Sequence, residues 1–200
     1  VQIISTTEAW AQFAVAGPNA RKVLERIVDP EFDLSNDAFP FMACGEITVC
    51  GGLRARLFRI SFSGELAYEI AVPTRYGDAI IRQLMEAGEP FDITPYGMEA
   101  LGVMRIEKGH ATSNELNGTT TAHNLGLGRM VSKTKDSIGS VLSEREGLIE
   151  ADALMLVGFK PVDSSQPVVA GSHLMTIGDP VNAAHDQGYI TSAGYSPNLG

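Results

Sequence analysis

Residues 53–72 read LRARLFRISFSGELAYEIAV, and the fold turns on this stretch. Leu53, Ala55 and Leu57 alternate with Arg54 and Arg56, the period of two of a strand with one face on a core and the other in water. The phase then changes, with Phe58, Ile60 and Phe62 apolar and Arg59 and Ser61 polar. A one-residue slip of this kind predicts a bulge or twist within one strand over 53–62. Ser63-Gly64-Glu65 supplies a turn. Tyr68 to Val72 predicts a second strand, with Tyr68, Ile70 and Val72 on one face and Glu69 and Ala71 on the other. A carboxylate thereby stands mid-strand between apolar neighbours. Pattern alone leaves two readings of Glu69 open: a carboxylate on the solvent face of a half-buried strand, or a bidentate acceptor for two parallel N–H groups on the edge of a planar ring.

Upstream, residues 8–16 (EAWAQFAVA) predict a strand with Trp10 and Phe13 partly buried. Gly17-Pro18 opens a helix, since proline suits a first helical position where no N–H bond is lost. Val23, Leu24, Ile27 and Val28 share one helical face, and Asp29-Pro30 stops the helix. A polar loop leads to a strand over 46–49. Downstream, Thr74 is a plausible N-cap for a second helix carrying Ile80, Ile81, Leu84 and Met85, closed by Gly88 and Pro90. A third helix is expected from Thr94-Pro95 to about Lys108, stopped by Gly109. Its small residues Gly97, Ala100 and Gly102 predict that something packs closely on its backbone. Strand, helix, strand, strand, helix matches a ferredoxin-like α+β layer.

Beyond His110 the composition shifts to Thr, Ser, Asn and Gly, with a short helix expected over about 140–145. Short apolar runs at 154–159, 174–177 and 189–195, separated by turn residues, predict a small, partial β-barrel. The expected organisation is an α+β domain over 1–148 and a partial C-terminal β-barrel over 149–200.

The chain's 200 residues can bury a real core, and 44% hydrophobic and 20% charged residues are ordinary for a soluble globular protein. A net charge of −9 argues against tracking nucleic-acid phosphates, and no Lys/Arg block is long enough for an acidic membrane surface. No apolar run spans a bilayer and no basic-then-apolar leader opens the chain, so no membrane association and a cytoplasmic location are expected. Val1 and Gly200 each adjoin a strand-like stretch, which predicts a segment cut from a longer protein. Cys44 and Cys50 make a poor disulfide scaffold and read as two small buried thiols in a reducing compartment. The four histidines are dispersed and no metal site is expected. Nucleotide-cradling glycine motifs and a serine nucleophile elbow are both missing.

Five blocks, in order, resemble the glycine-cleavage T-protein (aminomethyltransferase) family. They are Phe13 to Ala20 (FAVAGPNA), the hairpin Gly64-Glu65 to Tyr68-Glu69-Ile70, residues 101–109 (LGVMRIEKG), Asn124 to Met130 with Lys133 and Ile138-Gly139, and residues 188–199 (GYITSAGYSPNL). Within the family, Arg105 to His110 followed by Leu125-Gly126-Leu127-Gly128 looks most like the α subunits of heterotetrameric sarcosine oxidases. The resemblance implies a T-protein-like fold that binds tetrahydrofolate and captures, as 5,10-methylenetetrahydrofolate, the one-carbon unit from oxidative demethylation of sarcosine. It implies FAD, FMN and NAD only in the full complex and not in this chain. The implied partners are folate and the β, γ and δ subunits.

Carried over, Glu69 is the position expected to grip the pterin ring, with Tyr68 and Glu65 expected to line the same pocket. Arg54, Arg56 and Arg59 are either solvated strand-face charges or meet an anionic folate tail. The family's acidic residue that assists one-carbon transfer lies upstream, so no catalytic residue is assigned here. Ser61-Phe62-Ser63 replaces the family's aromatic before the turn. The alternatives are a non-catalytic assembly module on a folate fold, or a glycine-cleavage-type aminomethyltransferase. A folate-dependent iron–sulfur maintenance protein fits less well, because its cysteine signature is missing near Lys133.

Overall fold

A computed structural model describes residues 1–200 and divides them into two compact units, Val1–Leu101 and Gly102–Gly200. In the first unit a short 3-10 turn (Thr7–Ala9) leads into β1 (Trp10–Ala16), followed by α1 (Ala20–Leu24), β2 (Cys44–Val49), β3 (Leu53–Phe58), β4 (Ala67–Pro73) and α2 (Gly77–Gly88). All strand pairs are antiparallel, in the order β1-β4-β3-β2. This is a three-stranded meander with β1 added at its far edge. It differs from the interleaved ferredoxin-like order, because β4 follows β3 directly through a turn instead of through a helix.

The alternation over 53–57 and 68–72 becomes two faces. Tyr68, Ile70 and Val72 join Leu57, Ala55, Val49, Ile47 and Val15 in a core closed by Val23, Leu24, Ile80 and Leu84 from α1 and α2. Glu69 and Ala71 face the other way. The phase change at Phe58 marks the end of β3 and not a bulge within it. The β3–β4 register ends at Phe58, while the Arg59 N–H bonds Ala43 O and the Met42 N–H bonds Arg59 O, so the chain leaves β4 but stays beside the residues that lead into β2.

Cys44 and Cys50, expected to be buried, are both exposed, at the start of β2 and just past its end. Several boundaries move. α1 is one turn shorter than expected, and Ile27 and Val28 complete its buried face from the turns that follow it. Thr74 caps no helix: its hydroxyl donates to Glu8 O, and Thr74–Tyr76 forms a 3-10 turn before α2. Gly17 adopts φ +119, where a side chain would be strained, and its N–H bonds Leu66 O to lock the strand-to-helix junction beside the 63–65 turn. The third helix, α3 (Met98–Lys108), starts four residues after Thr94. A Cβ at Gly97 or Gly102 would meet open space, so neither is small for close packing.

Gly77 is one position where smallness is required, since a Cβ there would lie 2.8 Å from the Cβ of Ala11. Neither atom can rotate away, so β1 and α2 must separate. Gly77→Ala is expected to destabilise by about 1–3 kcal/mol, because overpacking outweighs a helix-propensity gain of at most about 1 kcal/mol. A urea midpoint equal to or above wild type would show that the two elements part freely.

In the second unit, the expected partial barrel over 149–200 reduces to one two-stranded ladder, β5 (His173–Met175) with β6 (Asp186–Tyr189). The run 154–159 forms no strand, and Leu154, Met155, Val157 and Phe159 are exposed. A barrel closes only when every strand has neighbours on both sides, and one pair cannot do that. A short helix, α4 (Ser140–Ser143), occupies the expected place. No helix is long and apolar enough to cross a membrane.

Candidate ligand-binding site

The register of the sheet puts Ala14, Glu69 and Phe58 in one row across β1, β4 and β3, on the face opposite the helix-covered core. The next row holds Gln12, Ala71 and Arg56. Glu69 is half-buried, and its Oε2 accepts a hydrogen bond from Gln12 Nε2. Oε1 has no protein partner. Ala14 and Ala71 are too small to rise above the backbone, so the carboxylate stands beside a low floor on which a planar group can lie. Tyr96, on the segment before α3, is near enough for the Glu69 charge to act on it. Burial first, and that charge second, raise the Tyr96 phenol pKa. It therefore stays protonated and can donate.

Tyr68 is the counterexample within the expected set. Its side chain points to the core face with no exposed surface (0%), and its hydroxyl accepts from Arg21 Nε at 2.9 Å. Its ring stacks on Phe39 at 6.5 Å between centroids. The adjacent strand position put it beside Glu69 in sequence, but the pleat sends the two to opposite faces, so it does not line the same pocket. Glu65 lies exposed in the turn, whose N–H groups are held by Ser61 and Ser63 hydroxyls, and it shares no hydrogen-bond partner with Glu69. Gln12 and Tyr96 were not visible in the sequence. Gln12 is 57 residues from Glu69 and meets it only through the β1–β4 register.

Further along the same face an open cleft of about 750 Å³ is lined by Trp10, Glu46, Leu53, Arg54, Arg56 and Arg75, among others. Arg56 lies over the Trp10 ring at 3.9 Å and Arg75 over Tyr76 at 4.7 Å. Arg54 pairs with Glu46 at 2.9 Å, with both side chains well exposed.

The second unit is held by a buried polar cluster. Glu115 Oε2 accepts from Arg105 Nη1 at 3.1 Å and from the Thr112 N–H at 2.7 Å. Ser192 accepts from Arg105 Nη2 at 2.6 Å and donates to Glu115 Oε1 at 2.6 Å. Burial raises the Glu115 pKa, but hydrogen bonds from Ser192, Thr112, Thr191 and Arg105 outweigh it and hold the carboxyl at about 2. Glu107 similarly accepts from Ser196 and Asn198. Two of the family-like blocks, residues 101–109 and 188–199, are thus stitched together by side chains.

A four-stranded antiparallel sheet with helices on one face, and a half-buried carboxylate beside a cationic cleft on the other, defines a mixed α+β domain. Residues 1–135 match the GCVT N-terminal domain, and the chain belongs to that family. Across its full length it is 50% identical to the sarcosine oxidase subunit alpha of Rhizobium meliloti (strain 1021), covering 20% of that protein. It is 40% identical to the subunit of the same name from Corynebacterium sp. (strain P-1), covering 21% of it. With the aminomethyltransferase of Halothermothrix orenii it shares 29% identity over 99% of this chain and 52% of that protein. The chain therefore spans about a fifth of the length of the sarcosine oxidase subunits it matches.

Proposed function

We propose that this chain is the folate-binding part of a sarcosine oxidase α subunit, and that Glu69 is the principal acceptor for the pterin ring of tetrahydrofolate. One observation carries the reading: a half-buried carboxylate, oriented by Gln12, on a sheet face floored by alanines and away from the core. A carboxylate so placed offers two oxygens in one plane to adjacent N–H groups of a ring edge, an arrangement stronger than neutral hydrogen bonds. Tyr96 supplies a protonated phenol nearby. Glu65 contributes at the rim, and Tyr68 supports the strand from behind. The region over 1–148 is the folate-binding domain, and 149–200 belongs to the following domain.

The parent reaction is capture of a one-carbon unit at the formaldehyde oxidation level by tetrahydrofolate, giving 5,10-methylenetetrahydrofolate and water. That unit comes from sarcosine oxidised by a flavin elsewhere in the assembly, with β, γ and δ subunits as partners in the cytoplasm. The names and identities of the relatives support this assignment.

Calorimetric titration of the chain with tetrahydrofolate tests it. Glu69→Gln is expected to weaken saturable binding by about 1–3 kcal/mol, the range for losing a charge-assisted hydrogen bond. Equal affinity of the two forms removes Glu69 from the site. A second reading, an assembly module that no longer binds folate, draws on the exposed apolar side chains of Leu154, Met155, Val157 and Phe159, which invite a partner surface. Absence of binding to either form favours it.

A further inference from the structure

We propose that Asn117 is a site of spontaneous, enzyme-free deamidation, in which the Gly118 backbone nitrogen attacks the Asn117 side-chain carbonyl. The site lies in the second unit and is independent of the folate reading.

Three observations converge. The first is the nucleophile. Asn117-Gly118 is the chain's sole Asn-Gly pair. Glycine puts no side chain beside its own nitrogen, and the space where a Cβ would stand is open, so nothing crowds the approach. Both residues are exposed, and the Gly118 N–H makes no hydrogen bond.

The second is the electrophile. Asn117 Oδ1 accepts from the Thr119 N–H at 2.9 Å, the Thr119 hydroxyl at 2.7 Å and the Thr120 hydroxyl at 3.1 Å. Three donors on one carbonyl oxygen withdraw electron density from its carbon. They also stand ready for the oxyanion that attack creates, as fixed donors do in acyl-transfer sites. The turn, which the Thr120 N–H closes on Asn117 O at 3.2 Å, holds the oxygen and leaves the departing amide unengaged. The third is the contrast with Asn124. Its Oδ1 also accepts from a threonine N–H and hydroxyl, those of Thr121. It is buried, however, its Nδ2 is committed to Leu154 O at 2.9 Å, and the next nitrogen belongs to Leu125.

The step balances with water alone. The Gly118 nitrogen gives its proton to solvent base and bonds to Asn117 Cγ. The Cγ–Nδ2 bond breaks, ammonia leaves with a solvent proton, and a succinimide ring remains. Water then opens the ring at Cγ, giving aspartate, or at the main-chain carbonyl, giving isoaspartate, whose backbone is longer by one methylene. Either product adds a negative charge. The lengthened backbone follows Glu115 by two residues, so it strains the segment whose carboxylate holds Arg105, Thr112 and Ser192.

Incubation in oxygen-labelled water at mildly alkaline pH, followed by peptide mapping, tests the site. Labelled aspartate and isoaspartate are expected at position 117, with matching release of ammonia and no change at Asn124. Gly118→Ala and the T119V/T120V double variant are each expected to slow the conversion about tenfold, or 1.36 kcal/mol in the barrier. Thermal melting checks that both variants fold. Folded wild type is expected to convert at least as fast as the same chain in urea, where the three donors are lost. Conversion that is absent at 117, or faster in urea than in the folded chain, overturns the proposal. So does an unchanged or raised rate in T119V/T120V, because the hydroxyls would then give the carbonyl no activation.

Discussion

Glu115→Ala is expected to destabilise the second unit by about 3–5 kcal/mol, the range for removing one partner of a buried ion pair. The side chains of Glu115 and Arg105 are only 4% and 11% exposed. Without the carboxylate, the Arg105 guanidinium stays out of water, its Nη1 left with only a 3.5 Å contact to His110 O. Ser192 loses its acceptor and the Thr112 N–H loses its partner. Glu115→Gln keeps the volume and one carbonyl oxygen, so a smaller loss is expected. Acid should act like the substitution. The folded carboxyl has its pKa lowered to about 2 from an ordinary 4.5. A group depressed in the folded state contributes its full stability above the unfolded value and loses it as pH falls through the folded one. Stability is therefore expected to decline from about pH 4.5 toward pH 2, by about 3 kcal/mol at the rate of 1.36 kcal/mol per pH unit. Urea midpoints at pH 7 and pH 3 read both effects. If Glu115→Ala flattens no part of the wild-type acid profile, the loss on acidification belongs to other carboxyls.

Tyr68→Ala is expected to cost a similar amount, about 3–5 kcal/mol, by opening a cavity the size of a ring in the first unit's core. The ring has no exposed surface, stacks on Phe39, and lies under the Arg59 guanidinium at 5.9 Å. Its hydroxyl also accepts from Arg21, whose other end reaches Asn36. Tyr68→Phe separates the two contributions. It keeps the ring and removes one hydrogen bond, for an expected cost of about 0.5–1.5 kcal/mol. Because Tyr68 and Glu69 lie on opposite faces, Tyr68→Phe is expected to leave folate affinity within about twofold of wild type, a change of about 0.4 kcal/mol. A larger loss of affinity at intact stability would place the phenol in contact with the ligand after all.

These two residues also show what the sequence could and could not disclose. The two faces of β4 were legible because Tyr68, Ile70 and Val72 alternate with Glu69 and Ala71, and a strand has no other way to place them. The strand-to-helix junction at Gly17-Pro18 and the turn at 63–65 were legible for the same local reason. The end of β3 was not. Phe58, Ile60 and Phe62 continue a plausible alternation, and only the end of the β3–β4 register at Phe58 and Glu69 reveals that the chain has left β4. Thr94 and Pro95 look like a helix start, yet α3 begins at Met98.

Nothing local links Arg105 to Glu115 and Ser192, because the partners are brought together by the fold of the second unit and carry no periodic signature. The same holds at the candidate site: Glu69 could be singled out as a carboxylate in an apolar strand, whereas Gln12 and Tyr96 join it only through tertiary placement. Of the short apolar runs in 149–200 that read as strands of a partial barrel, the structure pairs only His173–Met175 with Asp186–Tyr189, and exposed loops can carry the same composition as the rest.

The strand order β1-β4-β3-β2 has a consequence for how the sheet assembles. The meander β2-β3-β4 closes through short turns, so its loop-closure entropy is small. β1 must instead find β4 across the whole of residues 17–66, which slows its docking relative to the meander. The protein's one tryptophan, Trp10, opens that late-arriving strand and stacks under Arg56 once it has docked. Its fluorescence during refolding therefore times the closing of the sheet and is silent about the start.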